Sequence, residues 1–254
     1  MYRLLLGLVV VASTSLPASA SLISRLGGQA VYDTDFDITW IANANLALSK
    51  TFGIAGIQAN GVMTYHTLVD EWMPALNAEG GTGYLGFNDW RLPATLQPDP
   101  TCGSVIQGNV DGGYNCTGSE AGHLYYDELG GTASVSILLS GDPDLALFQN
   151  LDKIGDADGI RGIWSTTCCE DVLDDWAYYF YFDFEYPAGD LSGIQGTGPK
   201  TFEYFVPWLV RDGDVVGTAP EPSTVLLFGS GFVALVQTVR RRGRGGRRVR
   251  GWHP

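Results

Sequence analysis

The chain has 254 residues, of which 45% are apolar and 17% charged, and its 34 glycines follow no three-residue period, so a disordered tail and a collagen are both excluded. The formal charge of −13 is unevenly spread: residues 21–219 hold seven basic against 27 acidic side chains, a formal −20. A surface that acidic repels phosphate backbones, which excludes nucleic acid as a partner.

Residues 1–20 read as a secretory signal, with Arg3, an apolar run from Leu4 to Ala12 and the small-residue ending Ala18-Ser19-Ala20. Cleavage is predicted after Ala20. The exported part opens with strand-like stretches at Val31-Tyr32 and Ile38-Thr39-Trp40-Ile41. Val62, Tyr65, Val69, Trp72 and Leu76 then recur at steps of three or four and predict an amphipathic helix, which Pro74 should kink or end near Met73. His66 in this segment reads as a solvated or core-edge side chain. A second helix is predicted from Ser119, whose hydroxyl can cap it, to Gly130-Gly131. His123 lies on it without a cysteine or second histidine at zinc spacing, which argues against zinc there. Asp142-Pro143 predicts a third, short helix that buries Leu145, Phe148 and Leu151.

The last third changes period. Trp176, Tyr178, Phe180, Phe182 and Phe184 alternate with Ala177, Tyr179, Tyr181, Asp183 and Glu185, the pattern of a long half-buried strand. A Gly/Pro loop from Pro187 to Pro199 leads to an expected partner strand, Phe202 to Arg211, where Pro207 marks an edge or a bulge. Helices first and antiparallel strands later predict an α+β domain.

Once exported, the four cysteines meet an oxidising space. Cys102 and Cys116 bracket a Gly/Asn-rich loop, and a bridge closing about 15 residues is worth roughly 3 kcal/mol, so a disulfide is predicted between them. Cys168 and Cys169 are neighbours that can pair with each other, link to another chain or stay thiols. In the acidic string from Asp152 to Gly159, Asp152, Asp156 and Asp158 could give oxygen ligands to Ca²⁺, joined by Asp171, Asp174 or Asp175. The string lacks the EF-hand order, and a solvated acidic turn is the alternative. There is no G-x-S-x-G elbow and no histidine paired with a nucleophile, and carboxylate pairs drawn from 27 acids carry no specificity for glycoside cleavage. No catalytic residue is assigned.

At the far end, Pro220-Glu221-Pro222-Ser223 precedes an apolar stretch, Thr224–Val239, and then Arg240, Arg241, Arg242, Arg244, Arg247, Arg248 and Arg250. Sixteen helical residues reach roughly 24 Å, short of the ~30 Å hydrocarbon layer. This order resembles the PEP-CTERM sorting signal of Gram-negative bacteria. The resemblance implies transient membrane anchoring through 224–239 and an exosortase as processing partner, which removes the tail and releases or re-anchors the protein at the surface. The predicted organisation is a signal peptide at 1–20, a domain at 21–216 and a sorting signal at 217–254.

Gly86-Phe87-Asn88-Asp89-Trp90-Arg91-Leu92-Pro93 resembles the Lcl C-terminal domain, a domain of unknown function named after a collagen-like adhesin. Val31-Tyr32-Asp33, Asn43-Ala44-Asn45, Gly61-Val62-Met63-Thr64, Ser119-Glu120-Ala121-Gly122-His123-Leu124, Ile163-Trp164-Ser165-Thr166-Thr167 and Val210-Arg211-Asp212-Gly213 agree in order, over about 25–214. The Trp-Arg-Leu-Pro core is also similar to the formylglycine-generating-enzyme group, whose fold is a variant of the C-type lectin fold. The resemblance implies a twisted antiparallel sheet with two or three flanking helices and long loops, in which Trp90, Arg91, Leu92 and Pro93 act as an architectural lock. It also implies a non-enzymatic, adhesin-like surface module that binds glycan or the exopolysaccharide matrix. A structural matrix protein without a small ligand is the alternative, followed by an enzyme, either an oxidase, although Cys168 and Cys169 do not fall on that family's catalytic cysteine positions, or a glycoside hydrolase. The related adhesin is associated with sulfated glycans, but a domain at −20 disfavours polyanions. Neutral sugars stacked on aromatic rings, or acidic sugars bridged by Ca²⁺, remain.

Removal of both apolar runs is therefore expected. Intact-mass measurement of protein recovered from its source cells should give a chain that lacks Leu4–Ala12 and Thr224–Val239. A mass that still includes the arginine tail contradicts the sorting reading.

Overall fold

The computed structural model describes residues 22–106, 109–154, 160–167, 175–186 and 189–215. The chain divides into a unit that ends at Val215 and a second that begins at Val216. Within the first unit the architecture is mixed α+β, with two sheets and a few short helices.

The smaller sheet has the order β1-β2-β3-β11, built from Leu22–Arg25, Ala30–Asp33, Ile38–Ile41 and Val210–Asp212. All its pairings are antiparallel, and the last strand of the unit, β11, pairs with β3 at the edge of the first three. The larger sheet runs β10-β6-β7-β9-β5-β4: Phe205–Val206, Ile160–Thr167, Trp176–Tyr186, Gln195–Pro199, Asn109–Tyr114 and Ser104–Ile106, with β8 (Gly189–Asp190) on the end of β7. Only β10 with β6 is parallel among these pairs.

The central strands β3, β6 and β7 bury side chains on both faces, which explains their nearly continuous apolar runs. Successive side chains of a strand point to opposite faces. Trp40 of β3, Ile163 of β6, Phe180 and Phe182 of β7, and Trp208 join one core cluster; Ile41, Trp164 and Leu209, one residue on, join the other. A helix covers each cluster. Leu68, Trp72 and Leu76 belong to the second, and Leu124, Tyr125 and Leu129 to the first. Trp208 is fully buried at the centre of the first cluster, with its ring 5.1 Å from Trp40 and 5.2 Å from both Phe148 and Phe182.

The helices differ in detail from their sequence patterns. The first does not end at Pro74. It runs as a π-helix over Thr67–Trp72 and continues as α1 (Met73–Asn77). The switch falls where Pro74, which has no N–H, removes a backbone donor. Ser119 does precede α2 (Glu120–His123), but its hydroxyl makes no cap bond; it donates to Asp99 Oδ2 at 2.8 Å and accepts from Leu96 N at 3.0 Å. The chain then widens into a π-helical turn, Leu124–Glu128, and stops before Gly130, whose φ is +62°. A 3₁₀ turn, Pro143–Leu147, follows Asp142, whose side chain accepts from Asp144 N at 2.8 Å; Phe148 and Leu151 are buried and Leu145 partly so.

The aromatic strand β7 forms with Tyr178, Phe180, Phe182 and Phe184 buried, but its neighbours are β6 and β9, not Phe202 to Arg211. Gln195–Pro199 lies inside the stretch expected to be loop. Its glycines leave room for neighbouring rings: a Cβ on Gly196 would lie 2.6 Å from Tyr179 Oη, and one on Gly198 3.0 Å from the Phe202 ring. The expected partner stretch instead supplies β10 to β6 and β11 to β3.

Trp208→Ala is expected to lower unfolding free energy by about 3–5 kcal/mol, as large-to-small changes in a closed core do. Denaturant melts of the two proteins test this; a loss under about 1 kcal/mol would contradict the central placement of that ring.

Candidate functional site

The string from Gly86 to Pro93 is held to the rest of the unit by nearly every polar group it carries. Asn77 clasps Trp90, accepting from its N–H at 3.0 Å and donating to its carbonyl at 2.8 Å, while Trp90 Nε1 donates to Tyr84 O. Asp89 accepts two bonds from Arg211, which also lies over the Phe87 ring, and this guanidinium holds the Asp89 carboxyl below its ordinary range. Arg91 exchanges backbone bonds with Val210 at 2.8 and 2.9 Å. Its side chain forms a two-pronged pair with Glu120 at 2.9 and 2.8 Å, reaches Asp212 through Nε and Nη2, and donates to Leu92 O at 3.0 Å. All five guanidinium N–H groups are engaged. Pairing with Glu120 and Asp212 raises the Arg91 pKa. Pro93 O accepts from Ser165 Oγ.

A groove of about 290 Å³ borders this string, lined by Tyr65, Val69, Met73, Arg91, Leu92, Ala94 and Thr166. Tyr65 N–H donates to Lys200 O at 2.9 Å and Met63 N–H to Phe205 O at 3.2 Å, so the groove adjoins the chain from 200 to 205. There Phe202 and Tyr204 are 37% and 42% exposed, with ring centroids 5.4 Å apart. Between them in sequence, Glu203 accepts from Gln58 Nε2 at 2.9 Å. Five tryptophans, by contrast, are fully buried.

A second, buried constellation lies beside Phe36, a ring that packs against the first core cluster. Asp33, at the end of β2, accepts with Oδ1 from the backbone N–H of Asp35 and Phe36, which turns Oδ2 inward. His123 Nε2 faces that oxygen at 3.7 Å and Glu128 Oε1 at 3.3 Å, and its other ring nitrogen is 3.1 Å from Asp127 Oδ2. The side chains of Asp33, His123 and Glu128 are 0%, 7% and 2% exposed, and the three facing atoms make no hydrogen bond. Burial pushes the Asp33 carboxyl above its ordinary range. Burial also disfavours the charged imidazole, but the facing Glu128 and Asp33 outweigh it and raise the His123 pKa.

Of the residues singled out in the sequence, Cys102 and Cys116 are disulfide-bonded. The bridge packs against α2: a Cβ on Gly122 would lie 1.9 Å from Cys116 O. Asp152 is exposed in a 3₁₀ turn, Leu151–Lys153. Asp156, Asp158, Cys168, Cys169, Asp171, Asp174, Pro220, Glu221, Pro222 and Ser223 lie outside the described residues. His66 is half-exposed between Asp70 and Asp175. Among the described residues no helix is long and apolar enough to cross a membrane. Sequence reasoning missed the meeting of Asp33 and Glu128 at His123. The spacing His123, Asp127, Glu128 was visible, but only the fold brings Asp33 to it.

Residues 218–242 match the PEP-CTERM protein-sorting motif. The motif implies export, processing by an exosortase and a C-terminus handled at the cell surface or membrane. No curated protein and no solved structure matches the chain.

Proposed function

We propose that the exported unit is a non-enzymatic, lectin-like surface module that holds neutral glycan in the extracellular matrix. The observation that carries the reading is the exposed pair Phe202 and Tyr204. In a chain that spends five tryptophans on its core, these two rings stay at the surface beside the amide of Gln58 and the carboxylate of Glu203. Aromatic faces stack on the apolar faces of sugar rings, and amides and carboxylates exchange hydrogen bonds with hydroxyls. The groove beside Tyr65, about 290 Å³, has room for roughly one further sugar unit.

The lectin-like part of the proposal draws on the Trp-Arg-Leu-Pro string and on a unit whose first strands and last strand share one sheet. Full engagement of the Arg91 fork supports an architectural role for it over a catalytic one. The formal −20 favours neutral over sulfated or uronic polymers. Burial of the tryptophans favours a second reading, a structural matrix protein with no small ligand.

A glycan array probed with the processed protein from its source cells separates them. Binding to neutral glycans is expected, with weak dependence on salt and none on chelator, and Phe202→Ala with Tyr204→Ala should reduce it at least about tenfold while the melting curve holds. Binding to heparin-like polymer that ignores these substitutions contradicts the proposal. A blank array supports the structural reading.

A further inference from the structure

The glycan reading makes no use of Asp33, His123 and Glu128. We propose that Asp33 Oδ2, His123 Nε2 and Glu128 Oε1 hold one Zn²⁺ ion, a three-ligand site with its fourth position open, which ties α2 to the end of β2. The three atoms lie within 4.8 Å of one another, all buried, each without a hydrogen bond. Buried polar atoms are satisfied as a rule, and three that face each other in one place have the arrangement of ligands around a shared cation.

The spacing suits a metal. With bonds of about 2.1 Å, the ligand atoms of a tetrahedral zinc stand roughly 3.4 Å apart. His123 Nε2 lies 3.3 Å from Glu128 Oε1 and 3.7 Å from Asp33 Oδ2. The surroundings have the form of a ligand shell as well. Asp127 faces Nδ1 at 3.1 Å, so Nδ1–H donates to it and the Nε2 lone pair is left for the centre. Asp33 is aimed by two backbone N–H groups on its other oxygen.

The local helix geometry is what makes the pair. At about 100° per residue in an α-helix, residues five apart stand roughly 140° around the axis from each other. Here the turn is π-helical, with Leu129 N–H bonded to Leu124 O five residues back, and His123 and Glu128 face the same spot. Such single π-turns are frequent at functional sites.

A proton is the competing occupant. With both carboxylates ionised, an imidazolium offers one Nε2–H, which serves one oxygen and leaves the second carboxylate oxygen bare, with a net buried charge of −1. Zn²⁺ on a neutral imidazole balances both carboxylates. The nitrogen ligand selects against Ca²⁺ and Mg²⁺, which prefer all-oxygen shells.

The untagged full-length chain, dialysed against Zn²⁺, Ca²⁺ or Mg²⁺ alone, tests the site by elemental analysis and thermal melting. About one zinc per chain is expected to survive dialysis, zinc should raise the melting temperature and a strong chelator lower it, and the other two ions should do neither. Glu128→Gln should abolish zinc retention. Should that variant fail to fold, Asp127→Asn, on a half-exposed residue outside the core, should keep the fold and weaken zinc binding about 10–100-fold. A folded chain that retains no zinc, a melting temperature indifferent to zinc and chelator, or zinc binding undiminished in both variants overturns the proposal. None of these outcomes touches Phe202 or Tyr204, so the glycan reading stands or falls separately.

Discussion

One ion-pair fork organises the unit. Arg91 reaches Glu120 at the start of α2, Asp212 in the closing strand β11 and its own loop carbonyl at Leu92, all with one rigid guanidinium. Glu120 is nearly buried and is bound a second time by Ala94 N–H, so its charge depends on Arg91 for balance. Charge-assisted, two-pronged bonds of this kind are directional as well as strong. They fix where α2 begins, and that start sets where His123 and Glu128 fall.

Long loops make such ties necessary. Elements are short, and much of the described chain is turn and irregular segment. Irregular backbone must find hydrogen bonds from side chains when it is covered. Asn77 serves Trp90, Asp99 takes the Ser119 hydroxyl, and Asn45 donates to Asn60 O and Lys153 O. The Cys102–Cys116 bridge fixes one more loop beside α2. With its interior stapled in this way, an exported unit can present loops such as 200–205 to solvent on a rigid base.

Much of the frame was legible in the residues. Alternation exposed β7, the Asp142-Pro143 pair exposed its turn, and the two cysteines around a Gly/Asn-rich loop marked their bridge. What escaped has physical causes. The glycines of β9 read as loop, whereas they are the gap into which Tyr179 packs. Periodicity at 3.6 residues located both helices but could not show that each contains a π-helical stretch. That widening hides the His123–Glu128 pairing, because residues five apart fall on different faces of an ordinary helix. Asp33 is 90 positions from His123, and only the packing of β2 against α2 joins them.

The organising role of Arg91 is tested most directly by a double-mutant cycle on Arg91→Met and Glu120→Gln, read by denaturant unfolding. If the fork is the tie described, each single change leaves its partner unbalanced, and the pair should couple by about 2 kcal/mol or more. Two independent, additive effects would contradict it.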